Sequence, residues 1–259
     1  MKTKSPDCRV DVTFAAPVAH FILSNPPLNV IDIRMMDELR VALTEIESRS
    51  EISTIVLRGA GQCFSAGVDV AAHTPDHVAE MLGRFHSVIR ALVSSRKIIV
   101  AVVHGHCLGG GAELAMVSDL VYSAKNALWG FPEIQLGCFP PVAATALASL
   151  ISPKRAAELL LTGKTISGVE AGDIGLTTQS IDENELESIV GQSLDRLRAL
   201  SPAALALSKK AVYAWDAMHF DKGLSRAETI YLEELMKTAD AQEGIRAFLE
   251  KRQPQWKNR

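Results

Sequence analysis

A run of glycines followed by a glutamate stands out, because these residue types could support acid–base chemistry at an acyl group. Gly109, Gly110 and Gly111 precede Glu113 in CLGGGAELA, directly after the apolar run over 98–103. Glycine destabilises a helix by about 1 kcal/mol per position relative to alanine. Three together indicate free helix-start amides or a close backbone approach, which an acyl group could use. Tight packing of a helix on a sheet is the alternative that this segment alone leaves open.

A second segment with small residues, CFSAGVDV at 63–70, also follows an apolar strand pattern. Here Ala66 and Gly67 lie where the chain leaves that strand. The ends of the two predicted strands, before Ala66 and before Gly109, could each direct one backbone N–H at the same oxygen. A donor of this kind stabilises an enolate by about 2.7 to 4 kcal/mol in a dry site. A plain turn in which Asp69 caps a helix is the alternative.

A second glutamate, Glu133, follows Pro132 in the apolar segment WGFPEIQLGCFPP and has no cationic neighbour in that segment. A carboxylate in such a setting is either exposed, or buried with a raised pKa and therefore able to act as an acid. The three segments together define the candidate chemistry. They need a scaffold that brings them to one place.

The hydrophobic pattern predicts that scaffold as an α/β domain, because strands and helices alternate through the first half of the chain. From about Pro141 the pattern is nearly all helical, with one short strand candidate at 176–181. We place a boundary near Ser201, which gives a core over 1–200 and a C-terminal helical region over 201–259. The predicted strands of the first half are 8–14, 18–24, 53–59, 98–103 and 119–124, and its predicted helices are 32–48, 77–95 and 110–118.

Composition excludes several other classes of protein. A net charge of −3 without a basic stripe argues against nucleic acid as a partner. The four cysteines are scattered, so neither a zinc site nor a disulfide framework is indicated. No signal sequence and no apolar run of the length that spans a bilayer is visible, so we expect no membrane association and a cytoplasmic location.

The motifs FSAGVD, GHCLGGGAELAMVSDL and FPEIQLG occur in this order, and with them the chain resembles the crotonase, or enoyl-CoA hydratase/isomerase, superfamily over nearly its whole length. The resemblance implies a crotonase-like ββα spiral core with a C-terminal helical region that forms homotrimers or homohexamers. It also implies an acyl-CoA thioester as substrate. No metal and no cofactor is expected, because coenzyme A is part of the substrate.

The resemblance further implies roles for individual residues. The amides matching Ala66 and Gly110 form an oxyanion hole, and Glu113 and Glu133 match the catalytic pair of the hydratases. The helix dipole favours an anionic Glu113, so we assign it to activate water, and we assign Glu133, in its more apolar segment, to donate the proton. Substrate-binding positions are expected at Ser65, Gly67, Val68, Asp69, Gly109, Pro141, Val142 and Lys251.

Two departures from the family pattern concern the substrate. A lysine that often follows the AGxD motif is missing from AGVDVAAH, and a glycine-rich PGAGG segment is replaced by CFPPVAATALA at 138–148. Within the superfamily the nearest resemblance is to cyclohexa-1,5-diene-1-carbonyl-CoA hydratases of anaerobic benzoyl-CoA degradation, which implies 6-hydroxycyclohex-1-ene-1-carbonyl-CoA as product. We expect 141–144 to shape the pocket wall beside Glu133 and to set its reach.

Three alternatives remain at this point. The first is a general short-chain enoyl-CoA hydratase or an isomerase on the same fold. The second is a serine hydrolase with Ser65 as nucleophile and His104 or His106 as base, although no G-x-S-x-G motif surrounds Ser65. The third is a non-catalytic oligomeric binding protein, against which the presence of both glutamates argues.

Overall fold

The computed structural model describes residues 8–257, with 214–218 described by their backbone alone. The strands in this range are β1 (Val10–Ala15), β2 (Val18–Leu23), β3 (Thr54–Gly59), β4 (Ile98–Val103), β5 (His106–Leu108), β6 (Leu120–Ala124), β7 (Leu128–Gly130), β8 (Thr165–Ser167) and β9 (Gln179–Ile181). The α-helices are α1 (Ile33–Ser48), α2 (Val78–Ser94), α3 (Gly110–Met116), α4 (Pro141–Leu150), α5 (Pro153–Thr162), α6 (Gly168–Asp173), α7 (Leu186–Arg198), α8 (Pro202–Val212), α9 (Ala214–Thr229) and α10 (Ala239–Leu249).

The main sheet has six strands in the order β1-β2-β3-β4-β6-β9. β1 and β2 form an antiparallel hairpin, and every other neighbouring pair is parallel. All six residues of β4 are buried, as expected for an apolar strand that is covered on both faces. The predicted hairpin, the predicted strands and the alternation with helices are therefore confirmed.

A second, three-stranded sheet in the order β5-β7-β8 was not predicted. Each of its strands has only three residues, which is too short for an alternating pattern to appear in the sequence. The pattern over 104–108, between the apolar run and the glycines, predicts a turn, but β5 occupies 106–108. This small sheet matters for the site because the Gly109 N–H, just before α3, donates to the Gly130 carbonyl at the end of β7 (2.9 Å).

The C-terminal helices differ from expectation at one place. The pattern over 222–238 predicts one continuous helix, but α9 ends at Thr229 and is followed by a π-helical turn, Ile230–Glu234, and a 3₁₀ turn, Leu235–Lys237. α10 then packs against the 3₁₀ turn Pro132–Leu136. The region beyond residue 200 thus contacts the segment that carries Glu133, and its division from the core remains a prediction.

Within residues 8–257, no helix is both long and apolar enough to cross a membrane.

Candidate active site

Both glutamates line one cavity of about 330 Å³. The cavity lies between the loop after β3, the start of α3, the turn 132–136 and the C-terminal helices. Gly67, Gly109, Gly110 and Pro141, all expected at the site, line it as well. Three segments that are far apart in the sequence are therefore brought together as predicted.

A side chain at each position of the triple glycine would clash with a different neighbour. A β-carbon on Gly109 would lie 2.5 Å from the Glu133 Oε1, and one on Gly110 would lie 2.6 Å from the Val68 Cγ2. On Gly111 it would lie 2.8 Å from the Ser65 Cβ. Gly109 also has a φ of +50°, which favours glycine. Gly110 and Gly111 thus allow close packing on the 63–70 segment, and Gly109 leaves room for the Glu133 carboxylate.

Glu113 lies in the first turn of α3 and is only 3% exposed. Its Oε1 accepts a hydrogen bond from the Ala143 N–H (2.9 Å), at the start of α4, and the Val142 N–H also faces its carboxylate. Burial raises the pKa of the Glu113 carboxyl to about 7, although these amides oppose the rise because they favour the anion. The carboxylate is therefore held in place by a helix start.

Glu133 has a different environment. Its Oε2 is buried and has no hydrogen-bond partner within the described residues. Burial raises the pKa of the Glu133 carboxyl, the charge of the nearby Glu113 raises it further, and its own backbone N–H lowers it. Both carboxyls thus have a raised pKa, and that of Glu133 is the higher. This agrees in direction with its assignment as proton donor, which stays a prediction.

The predicted oxyanion hole needs a correction, because the Ala66 N–H is not free. It donates to the Leu28 carbonyl (2.9 Å), and the Gly67 N–H donates to the Ser65 Oγ (3.1 Å). The next amide, that of Val68, has no hydrogen-bond acceptor among the described residues. The same segment pairs with Ile31 through the atoms of its other edge, namely the Gly67 carbonyl and the Asp69 N–H.

Strand-like alternation explains why Val68 is the free donor. In a bridge of this type successive N–H groups point to opposite sides, so the Val68 N–H points away from Ile31. A β-carbon on Gly110 would lie 3.5 Å from the Val68 nitrogen, so the two residues are neighbours at the cavity. The Gly110 N–H is the first amide of α3 and has no acceptor within the helix. Val68 and Gly110 therefore supply the available pair of donors.

Asn29 holds this loop in place. It is fully buried with a φ of +50°, and its Nδ2 donates to the carbonyls of Ala60 and Cys63, both at 2.8 Å. Its own carbonyl accepts from the Ser65 Oγ (2.7 Å). The sequence offered no signal for this role, since an asparagine in NPPLN suggests only a turn.

Several other expected site residues have structural roles instead. Ser65 is fully buried and does not line the cavity. Its hydroxyl donates to the Asn29 carbonyl, so it is not available as a nucleophile. Asp69 caps the short 3₁₀ turn Val70–His73 by accepting from the Ala71 N–H (3.0 Å). His104, proposed as a base, faces the Gly61 carbonyl (2.9 Å). Because Ser65 is buried with its hydroxyl bonded to Asn29, neither His104 nor His106 has an accessible nucleophile to activate, and the structure does not support a serine hydrolase.

The segment after Glu133 also acts differently from expectation. The Val142 side chain is fully buried and does not line the cavity, and its backbone together with that of Ala143 faces Glu113. The start of α4 thus positions Glu113 and not Glu133. Pro141 does line the cavity. Lys251 lies exposed just after α10, and its expected role in substrate binding stays a prediction.

Two lining residues from the C-terminal region were missed by the sequence analysis. Tyr231 in the π-helical turn and Phe248 in α10 both face the cavity. Tyr231 continues a buried stripe with Leu224 and Ala227, so its spacing in the sequence indicates only a helix core.

Comparison with known proteins places this fold and site in a family. The chain matches the enoyl-CoA hydratase/isomerase family over residues 13–259. It is 35% identical over 237 residues to a cyclohexa-1,5-dienecarbonyl-CoA hydratase of Thauera aromatica, with 92% of each chain covered. It is 34% identical over 246 residues to a probable enoyl-CoA hydratase of Bacillus subtilis (strain 168), with 93% of this chain and 95% of the relative covered.

The fold agrees with these matches. The chain superposes on the crystal structure of an enoyl-CoA hydratase from Mycobacterium avium subsp. paratuberculosis K-10 with a TM-score of 0.88, at 26% identity and covering 98% of this chain and 100% of that chain. The protein therefore belongs to the enoyl-CoA hydratase/isomerase family. The predicted family, the crotonase-like α/β fold and the hydro-lyase class of enzyme are confirmed at this level.

Proposed function

We propose that this protein adds water to a conjugated enoyl- or dienoyl-CoA thioester. The observation that carries the proposal is the convergence of two buried carboxyls, Glu113 and Glu133, on one cavity with the amides of Val68 and Gly110. An acid, a base and donors for an enolate oxygen are the parts that such an addition needs. An isomerase needs only one group that moves a proton, so the pair of carboxyls favours hydration.

In the proposed reaction the thioester oxygen binds between the Val68 and Gly110 amides. Ionised Glu113 takes a proton from water, whose oxygen bonds to the carbon β to the thioester. The electron pair of the double bond moves toward the thioester and forms an enolate, which the two amides stabilise. Protonated Glu133 then gives its proton to carbon, so one water is added and one proton remains on the pair of carboxyls. The reaction uses no metal and no cofactor beyond the CoA of the substrate.

We propose cyclohexa-1,5-diene-1-carbonyl-CoA as the substrate and 6-hydroxycyclohex-1-ene-1-carbonyl-CoA as the product. Hydroxide would add at the ring carbon β to the thioester, and the proton would go to the far end of the diene. The relative from Thauera aromatica is named for this type of substrate. Pro140 and Pro141 form part of the cavity wall and give it a rigid surface that a flat ring can contact.

A general enoyl-CoA hydratase is the second candidate, because a relative with that name is similar to nearly the same degree. The test is a panel of linear and cyclic unsaturated acyl-CoA thioesters, followed by mass spectrometry for the gain of one water. We expect kcat/KM for the cyclic diene to exceed that for crotonyl-CoA at least about tenfold, or roughly 1.4 kcal/mol. A preference for crotonyl-CoA would replace the ring-specific function by the general one, and no hydration at all would refute both.

We also propose that the protein is a homotrimer or homohexamer. Leu207 and Val212 on α8 are 67% and 70% exposed, an arrangement that suits burial against another copy. Light scattering at micromolar concentration should give three or six times the chain mass of 28.0 kDa. A monomer would contradict the proposal.

A further inference from the structure

Tyr231 is a buried polar residue that the proposed mechanism does not use. Its side chain is 1% exposed, and within the described residues its hydroxyl has no oxygen or nitrogen partner, only the weak acceptor Cys138 Sγ. A buried hydroxyl left unpaired costs about 1 to 3 kcal/mol. Such a group therefore needs an explanation, and a ligand oxygen is one that the location supports.

The location is the candidate active site itself. Tyr231 lines the same cavity as Glu113 and Glu133, and both carboxyls are close enough to raise the pKa of its phenol, after the larger effects of burial and of Cys138. The hydroxyl consequently keeps its proton at neutral pH and can donate. Its ring packs edge-on against Phe139, with 5.2 Å between the ring centres, so its direction is fixed.

Among the described residues, the acceptor near the Tyr231 hydroxyl is a weak one. The hydroxyl is directed at the Cys138 thiol as a hydrogen-bond donor, but sulfur accepts hydrogen bonds poorly, and the Cys138 thiol itself donates to the Leu136 carbonyl (3.6 Å). The hydroxyl is thus free to exchange this neighbour for a better acceptor. Glu133 Oε2 is the other unpaired side-chain oxygen among the described residues of the cavity, but the proposed reaction already uses that carboxyl as the proton donor to carbon.

The backbone around Tyr231 is also unusual. It lies in the π-helical turn Ile230–Glu234, and the buried positions there step from Tyr231 to Met236, one residue more than in a regular helix. π-helical turns are rare and occur frequently at functional sites. This second feature fits a residue that is placed for a ligand.

We propose that Tyr231 is a specificity residue whose hydroxyl donates a hydrogen bond to the oxygen that is added to the acyl group. The oxygen that Glu113 delivers from water lies in the same cavity and can accept from the phenol, which satisfies the Tyr231 hydroxyl. The enzyme should therefore discriminate hydroxyacyl-CoA from the corresponding acyl-CoA without the hydroxyl. This inference rests on the proposed function for its choice of an acyl-CoA as ligand.

The test measures dissociation constants by calorimetry for two pairs of ligands. One pair is 3-hydroxybutyryl-CoA and butyryl-CoA, and the other is 6-hydroxycyclohex-1-ene-1-carbonyl-CoA and cyclohex-1-ene-1-carbonyl-CoA. We expect the wild type to prefer the hydroxylated ligand at least about tenfold in one pair, which corresponds to about 1.4 kcal/mol. Tyr231→Phe keeps the ring, and it should lose that preference while binding the unhydroxylated ligand within about twofold of wild type.

A matched control removes a phenol hydroxyl elsewhere. Tyr122 is also buried, and its hydroxyl bonds to the Ser193 Oγ (2.5 Å), away from the cavity. Tyr122→Phe should keep the preference. No preference in the wild type, or an unchanged preference in Tyr231→Phe, would overturn the inference. A Tyr231-dependent preference in an enzyme that hydrates no acyl-CoA would refute the proposed function and leave the inference standing.

Discussion

The segments that carry Glu113 and Glu133 reach the same cavity, but their carboxyl groups differ in the hydrogen bonds they receive. Glu113 lies on an α-helix, and a second helix directs the amides of Ala143 and Val142 at its carboxylate. Glu133 lies on a 3₁₀ turn with a buried, unpaired Oε2. Two amides from another helix favour the anion of Glu113, whereas burial with only its own amide as donor and a charged neighbour favours the neutral form of Glu133. One fold thus prepares a base and an acid from the same residue type by the hydrogen bonds it provides.

The strongest way to test this comparison is to remove each carboxyl. Glu113→Gln and Glu133→Gln preserve size but remove the base and the acid, so each should lower kcat by about 10²-fold or more in stopped-flow or discontinuous assays. Binding of an unreactive acyl-CoA should be largely kept. The double variant should be nearly inactive, and full activity in either single variant would refute the role of that glutamate.

The next largest effect on kcat is expected from removing the N–H of Gly110, a proposed donor to the thioester oxygen. Proline removes the N–H of Gly110 and is tolerated at the first position of a helix. A β-carbon there would lie 2.6 Å from Val68 Cγ2 and 3.2 Å from Phe85 Cζ, so both variants carry Val68→Ala to remove the closer contact. We expect Val68→Ala/Gly110→Pro to have a kcat about 10²- to 10³-fold below that of Val68→Ala/Gly110→Ala, which retains the N–H.

Equal rates for these two variants would show that the amide is not a donor in the reaction. Thermal unfolding of both establishes that the comparison is made between folded proteins.

A smaller and more local effect is expected on the titration of Glu133. Because the charge of Glu113 raises the pKa of Glu133, Glu113→Gln should lower it, as followed by carboxyl-carbon NMR. Glu158→Gln is the control and should leave the titration of Glu133 unchanged. Glu158 lies on α5, outside the cavity, and pairs with Arg155 and Lys164. An unchanged titration of Glu133 in Glu113→Gln would show that the two carboxyls do not interact.

The smallest effect is on stability. Because the pKa of Glu133 is raised in the folded state, the folded chain binds a proton that the unfolded chain releases near pH 4. The free energy of unfolding therefore falls as pH rises from there through the folded pKa. Glutamine does not ionise, so Glu133→Gln should be more stable than wild type at pH 8, by about 1 kcal/mol.

Denaturant unfolding at pH 5 and pH 8 measures this difference, which should be larger at pH 8. Glu113→Gln should show no such gain, because it also loses the charged acceptor for the Ala143 amide. A Glu133→Gln protein that is less stable than wild type at pH 8 would contradict the contrast between the two segments.

The sequence by itself determined the long elements and the chemical groups. β4 and α2 have unbroken apolar or helical patterns, and the structure places them where the pattern predicts. The three motifs were sufficient to identify the family, and the two glutamates that they contain line one cavity. This succeeded because hydrophobic periodicity and residue type are local properties of the chain.

Only the tertiary structure decided which amide is free and what surrounds each carboxyl. The sequence analysis assigned the donor to Ala66. Among the described residues, however, the pairing of the loop with residues 28–31 engages the Ala66 N–H and leaves that of Val68 without a partner. Tyr231 has the spacing of a core residue, and its cavity position follows from the packing of the C-terminal helices on the segment around Glu133. Hydrogen-bond partners and burial depend on residues far away in the chain, so no local pattern could supply them.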